Sequence, residues 1–85
     1  MSTSFATDIL PLFKPGDIGC MAPRGVLIAS ANWMCDPAAG NGYPDHGNAR
    51  RVYSALARGV MPPNRRWPQD WLDIFQSWMT DGFNP

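Results

Sequence analysis

Glycine and proline make up one residue in five of this chain, and they limit how long any regular element can be. The 85 residues include 8 Gly and 9 Pro, which end helices and interrupt the hydrogen-bond ladders of sheets. Hydrophobic residues nevertheless account for 45% of the chain, which is too apolar for a disordered segment. We therefore predict one small, mostly α-helical domain over residues 1–85, with about three helices joined by long Pro/Gly-rich loops.

The N-terminal part of the chain predicts two short helical segments. The first spans about residues 7–13 and has either Ser4 or Thr7 as its N-cap. Pro11 kinks this helix if the cap is Ser4, because a proline inside a helix lacks the backbone N–H. A short helical turn over residues 17–21, capped by Asp17, is predicted to follow.

The C-terminal half predicts the two longest helices. One spans about residues 46–58, with Asp45 as its N-cap. The other spans about residues 68–81, with Pro68 at its first helical position. Each is followed by a glycine, which suits the position just after a helix.

The segments between these helices are predicted to be irregular. Residues 25–29 form a single strand-like run without a partner, so we expect an isolated extended segment. Residues of about 30–47 are rich in turn formers and predict a surface loop, in which residues 31–34 can form a helical turn.

Charge is segregated along a chain whose net charge is zero. The segment 50–66 holds five Arg and no acid, and Trp67 follows it. Two interpretations stay open: a solvated basic face that pairs with Asp70 and Asp73, or a contact surface for an acidic partner, since Arg and Trp are enriched at interfaces. A nucleic-acid partner is not expected, because the chain has neither net positive charge nor a recognisable binding motif. The predicted partner-binding residues are Arg50, Arg51, Arg58, Arg65, Arg66 and Trp67.

Groups that catalyse reactions or bind metals are sparse. One His, no Glu and no nucleophile motif make catalysis by the chain alone improbable. The sulfur and imidazole groups of the chain suit Cu(I), but their spacing matches no metal-binding motif. The simpler interpretation is that the sulfur groups pack in the core. We then expect two buried thiols and a solvated His. A disulfide between the two Cys is the alternative for the thiols. The candidate ligands are Cys20, Met21, Cys35, His46 and Met61.

Several motifs occur in a fixed order along the chain. They are DILPLF at 8–13, CM at 20–21, VMPP at 60–63, and Trp67 followed by WMTDG at 78–82. This order resembles small c-type cytochrome domains, which open with a DI-P-hydrophobic-F helix and close with an MPP turn and a helix ending near W-hydrophobic-x-x-G.

The resemblance implies a cytochrome-c-like arrangement of helices, but the haem-attachment motif CxxCH is absent. Asp17 stands at the first Cys position, and Cys20-Met21 takes the place of the second Cys and the His. Met61 stands where such domains place the distal haem ligand. We expect a haemless relative with no resident cofactor. The residues expected to fill the haem volume are Met21, Trp33, Met34, Met61 and Trp67.

These observations predict a non-enzymatic accessory or protein-interaction module, and the resemblance suggests a small subunit of a larger oxidoreductase. The alternative is a small redox or metal carrier that holds copper or non-covalent haem through Cys and Met sulfur. The partner is a larger protein or a second copy of the chain. No run of 18 apolar residues is present, and the N-terminus lacks a signal-peptide pattern, so we expect a cytoplasmic protein without a membrane partner.

Overall fold

Short helical segments make up most of the computed structural model, which describes residues 3–60 and 66–85. In chain order they are a π-helical turn at Phe5–Ile9, a 3-10 turn at Leu10–Leu12, α1 at Pro15–Met21, a 3-10 turn at Ala22–Arg24, α2 at Ala31–Met34, α3 at Gly47–Ala57 and α4 at Gln69–Thr80. No strand occurs over the described ranges, where Gly40 and Tyr43 form one isolated bridge. The prediction of a mostly α-helical fold is confirmed, although the helical segments outnumber the three predicted.

The N-terminal helix begins at Phe5, before the predicted start. The Ser4 hydroxyl accepts the Thr7 N–H at 3.2 Å, and the Asp8 carboxylate accepts the Ser4 N–H at 2.8 Å. With its cap at Ser4, the helical segment contains Pro11, whose missing N–H interrupts the backbone ladder. The winding accordingly changes at Leu10 from a π-helical to a 3-10 turn. The distortion predicted for a Ser4 cap is confirmed.

Helix α1 begins two residues earlier than predicted. Pro15 occupies its first turn, where a missing backbone N–H costs no hydrogen bond. Asp17 is therefore not the cap: it lies in the first turn, and its carboxylate accepts the Lys14 N–H at 3.4 Å.

Helices α3 and α4 each end within one residue of the predicted bounds, but their caps differ from the prediction. His46, and not Asp45, immediately precedes α3, with backbone angles of φ 44° and ψ 45° in the left-handed region. Pro68 precedes α4 with extended backbone instead of occupying its first position. The periodicity thus located both helices, whereas their first residues depend on the loops that lead into them.

The loop before α3 folds back against the start of that helix. The Gly47 N–H donates to the Ala38 carbonyl at 3.2 Å, and the His46 N–H donates to the Pro37 carbonyl at 3.3 Å. A side chain at Gly47 would overlap the Gly40 carbonyl, so only glycine fits this approach. Within the predicted loop of about residues 30–47, α2 is a single turn.

Trp78 lies at the centre of the core. Its ring centroid is 5.8 Å from that of Phe5 and 5.3 Å from those of Phe75 and Phe83. The indole is fully buried, and its Nε1–H donates to the Asn84 carbonyl at 2.8 Å. Because the one polar atom of the indole has a partner, its burial leaves no unsatisfied donor.

The two ends of the chain are tied together beside Trp78. The Asn84 carbonyl also accepts the Phe5 N–H at 2.8 Å. The Asp81 carboxylate accepts both the backbone N–H and the hydroxyl of Thr3, at 2.8 and 2.7 Å. These hydrogen bonds from Thr3 hold the pKa of Asp81 below its ordinary value. The N-terminal turn is thereby fixed against the end of α4.

The residues expected to replace a haem group lie mostly in the core. Met21, Met34 and Trp67 are buried, and Trp33 is half-buried. Met61 lies outside the described residues. The Cα radius of gyration is 11.7 Å, close to the value of about 12 Å for a compact domain of this length. No helix in the described part of the chain is long and apolar enough to cross a membrane.

We predict that Trp78→Phe lowers the free energy of unfolding by about 1–3 kcal/mol, because it removes the hydrogen bond to Asn84 and leaves a cavity. Urea unfolding followed by circular dichroism measures this loss. Trp71→Phe is the matched control: Trp71 is half-buried, and we expect its loss to cost less than about 1 kcal/mol. Equal destabilisation by the two variants would contradict the central role of Trp78.

Candidate functional site

A groove beside α3 brings together three arginines from two parts of the chain. Arg51 lies on α3 and Arg58 directly follows its last residue; they are seven residues apart and share one face, as their spacing predicts. Arg24, at the end of the 3-10 turn Ala22–Arg24, joins them. The groove has a volume of about 210 Å³. We call it the basic groove.

Apolar side chains line the basic groove beneath these arginines. Met21, Val26 and Val52 are buried there, and Ala55 is half-buried. Val60 is 63% exposed at the end of the groove. The groove therefore combines cationic groups with an apolar floor that the fold leaves open.

The arginines of the basic groove have no acidic partner in the described parts of the chain. Arg51 donates to the Asn41 side-chain carbonyl at 3.4 Å, and Arg58 donates to the Ser54 carbonyl of its own helix at 3.3 Å. All three arginines are exposed. Their positive charge is therefore available to a partner.

The pairing of arginines with α4 that one of the two interpretations offered does not occur among the residues that the structure describes. No ion pair joins an arginine to Asp70 or Asp73 there. Asp73 instead accepts a hydrogen bond from Gln69 at 3.0 Å, one turn earlier on the same helix. The acidic side of α4 and the basic groove are thus separate surfaces.

Arg50 is used inside the fold and does not line the basic groove. Its Nη2 lies 2.7 Å from Oδ1 of Asp45, and its Nε donates to the same oxygen at 2.7 Å. The guanidinium carbon also lies 5.3 Å from the centre of the Phe83 ring. Arg50 therefore connects the loop before α3 with the C-terminal segment, and its part in partner binding stays a prediction.

The remaining predicted partner residues divide between core and surface. Trp67 is 4% exposed and packs against Phe13 and Trp71, with ring centroids 5.2 and 5.4 Å away. It is a core residue, so its assignment to the partner surface is wrong. Its neighbour Arg66 is exposed, and Arg65 lies outside the described residues.

The Arg66 side chain lies against Gly59, two residues after the end of α3. A Cβ added at Gly59 would come within 2.8 Å of Arg66 Nε. The Gly59 backbone is left-handed, with φ 74°, a conformation that favours glycine. A cation here complements the negative end of the α3 dipole, which gives Arg66 a structural role.

The residues considered as metal ligands have different surroundings. Cys20 is exposed and Cys35 is half-buried, and both are free thiols. The prediction of two buried thiols is therefore wrong for Cys20, while burial raises the pKa of the Cys35 thiol. Met21 lies on the floor of the basic groove, and Met61 is outside the described residues. No group of three or more His, Cys, Asp or Glu in residues 3–60 and 66–85 is arranged to hold a metal ion.

His46 is not the solvated side chain that its position predicts. Its ring stacks on Phe83 with centroids 3.7 Å apart and planes 4° from parallel. Its Nδ1 lies 3.5 Å from Oδ1 of Asp45. The hydrogen bond from Arg50 is the main cause that holds the pKa of the Asp45 carboxyl below its ordinary value.

Comparison with protein-family models, with curated proteins and with solved structures finds no match to this chain. Its function is therefore inferred from the basic groove. Sequence reasoning identified Arg51 and Arg58 but missed Arg24, which lies far from them along the chain. The sequence hints at a free Arg24 only in that no acidic residue occurs between residues 18 and 35.

We predict that Asp45 titrates below the ordinary Asp value of about 3.9 and that Arg50→Gln raises its pKa toward that value. The lowered pKa means that the pair stabilises the fold above about pH 4 and that this contribution is lost as the pH falls through the lowered pKa. Carboxyl ¹³C NMR titration measures the shift. Arg51→Gln is the control and should leave the Asp45 titration unchanged; a similar rise in both variants would contradict a specific pair.

Proposed function

We propose that this chain is a non-enzymatic interaction module that docks an acidic segment of a larger protein onto the basic groove. The observation that carries the proposal is the set of three exposed arginines, Arg24, Arg51 and Arg58, around an apolar floor without an acidic partner in the described chain. Arginine offers a planar fork of donors that binds carboxylates through two hydrogen bonds.

The distribution of charge supports a protein partner. The chain is neutral as a whole, so it lacks the long-range field with which nucleic-acid binders attract phosphates. The basic groove supplies local positive charge on a surface that also offers apolar area, which is typical of protein interfaces. An acidic protein segment matches both properties.

We extend the proposal to the setting in which such a module acts. The ordered motifs that resemble c-type cytochrome domains support a haemless relative that serves as a small subunit of a larger oxidoreductase. The burial of Met21, Met34 and Trp67 is compatible with that origin. In this setting the module positions its partner and carries out no reaction itself. A cytoplasmic location stays a prediction from the sequence.

We predict that a fluorescein-labelled, acetylated peptide Ser-Glu-Glu-Ser-Glu-Glu-Ser binds the chain and that binding weakens as salt is raised. Arg24→Glu and Arg51→Glu should each weaken binding about fivefold or more, because each replaces an attraction by a repulsion. Fluorescence anisotropy at low and physiological salt measures both effects.

The control Lys14→Glu makes the same change in net charge at an exposed residue that does not line the groove. We expect it to change the affinity less than about twofold. Loss of binding equal to that of Arg24→Glu would show general charge attraction and contradict the proposed site. A purified protein with stoichiometric copper or a haem Soret band would favour a carrier function instead.

A further inference from the structure

We infer that the basic groove selects acidic segments that carry one aliphatic side chain next to their carboxylates. This inference rests on the proposed function and adds to it the chemistry of the partner. The carboxylates would bind Arg24, Arg51 and Arg58, and the aliphatic side chain would cover the apolar floor. Three observations support this division.

The first observation is where large hydrophobic side chains are exposed. In the described residues only Val60, at 63%, and Leu27, at 41%, are large hydrophobics with high exposure. Val60 lines the basic groove. Leu27 lines a neighbouring apolar depression that shares Val26 with the groove. Exposed apolar area is therefore concentrated beside the unpaired arginines, as expected where an apolar anchor docks.

The second observation is the size of the groove. Its volume of about 210 Å³ is below the range of about 300–1,000 Å³ typical of sites for drug-sized molecules. A single aliphatic side chain suits this space, and the exposed arginines around it leave room for the backbone and carboxylates of the same segment. The groove is therefore suited to one anchor residue of a peptide.

The third observation concerns a second copy of this chain as the occupant. Among the described helical segments, exposed carboxylates lie only on α4, whose exposed positions are all polar: Gln69, Asp70, Asp73, Gln76, Ser77 and Thr80. That surface provides carboxylates but no exposed aliphatic side chain to fill the floor. A different protein is therefore the occupant that the groove favours.

The test compares two acetylated, fluorescein-labelled peptides of equal charge. One is Ser-Glu-Glu-Ser-Glu-Glu-Ser, and in the other the central Ser is replaced by Leu. We expect the Leu peptide to bind about tenfold more tightly, because its side chain is removed from water on the apolar floor. Anisotropy titrations at the same salt concentration give the ratio of the two dissociation constants.

A filling variant shows where the aliphatic side chain binds. Ala55→Met places a longer side chain in the groove, so we expect the tenfold preference for the Leu peptide to fall to about twofold. Ala57→Met makes the same change at an exposed residue of α3 that does not line the groove, and it should keep the preference. Val60→Ser changes a side chain that is already exposed, so it provides a second test if Ala55→Met fails to fold. We expect it to reduce the preference for the Leu peptide at least twofold.

The outcomes separate this inference from the proposed function. Equal binding of the two peptides by the unchanged protein would overturn the inference and leave the proposed function intact. A preference for Leu that survives both Ala55→Met and Val60→Ser would also overturn it. Failure of both peptides to bind would overturn the proposed function together with the inference.

Discussion

The hydrogen bond between the Trp78 indole and the Asn84 carbonyl is the interaction on which the rest of the fold depends. It lets one tryptophan of α4 be buried whole, and the same carbonyl accepts the Phe5 N–H. One backbone oxygen thus joins the helix, the C-terminal segment and the N-terminal turn. A domain of this size buries little more than about 60% of its unfolded surface. It therefore gains much of its stability from a few large aromatic residues such as Trp78.

The aromatic core determines which face of α3 is left for a partner. Val52 and Leu56 are buried, and Tyr53 packs against Phe75 of α4 with ring centroids 5.6 Å apart. With those positions turned inward, the helical repeat leaves Arg51 and Arg58 exposed. The basic groove is thus a consequence of how an amphipathic helix buries its apolar side.

Periodicity and a following glycine were enough to predict α3 and α4 within one residue at each end, because their apolar faces are long. The N-terminal turn was harder to predict, since its π-helical winding follows from the Ser4 cap and Pro11 acting together. The sequence offers both a surface and a core position for Trp67, because only the tertiary fold shows that its ring packs on Phe13, a contact distant in sequence. Arg24 was missed for the same reason: only tertiary packing brings it to the basic groove.

The net charge of zero does not mean that the acidic side chains neutralise the arginines by pairing with them. All seven are Asp, whose short side chain favours caps and turns over reaching distant cations. The carboxylates of Asp8, Asp17, Asp36 and Asp81 accept backbone N–H groups, that of Asp73 accepts from Gln69, and that of Asp45 pairs with Arg50. Because the acids stabilise turns and helix starts locally, they leave the long guanidinium groups of the basic groove unneutralised. Having Asp in place of Glu therefore has two effects. The short carboxylates stabilise the loops of a Pro/Gly-rich chain, and they leave the arginines of the basic groove available to an acidic partner.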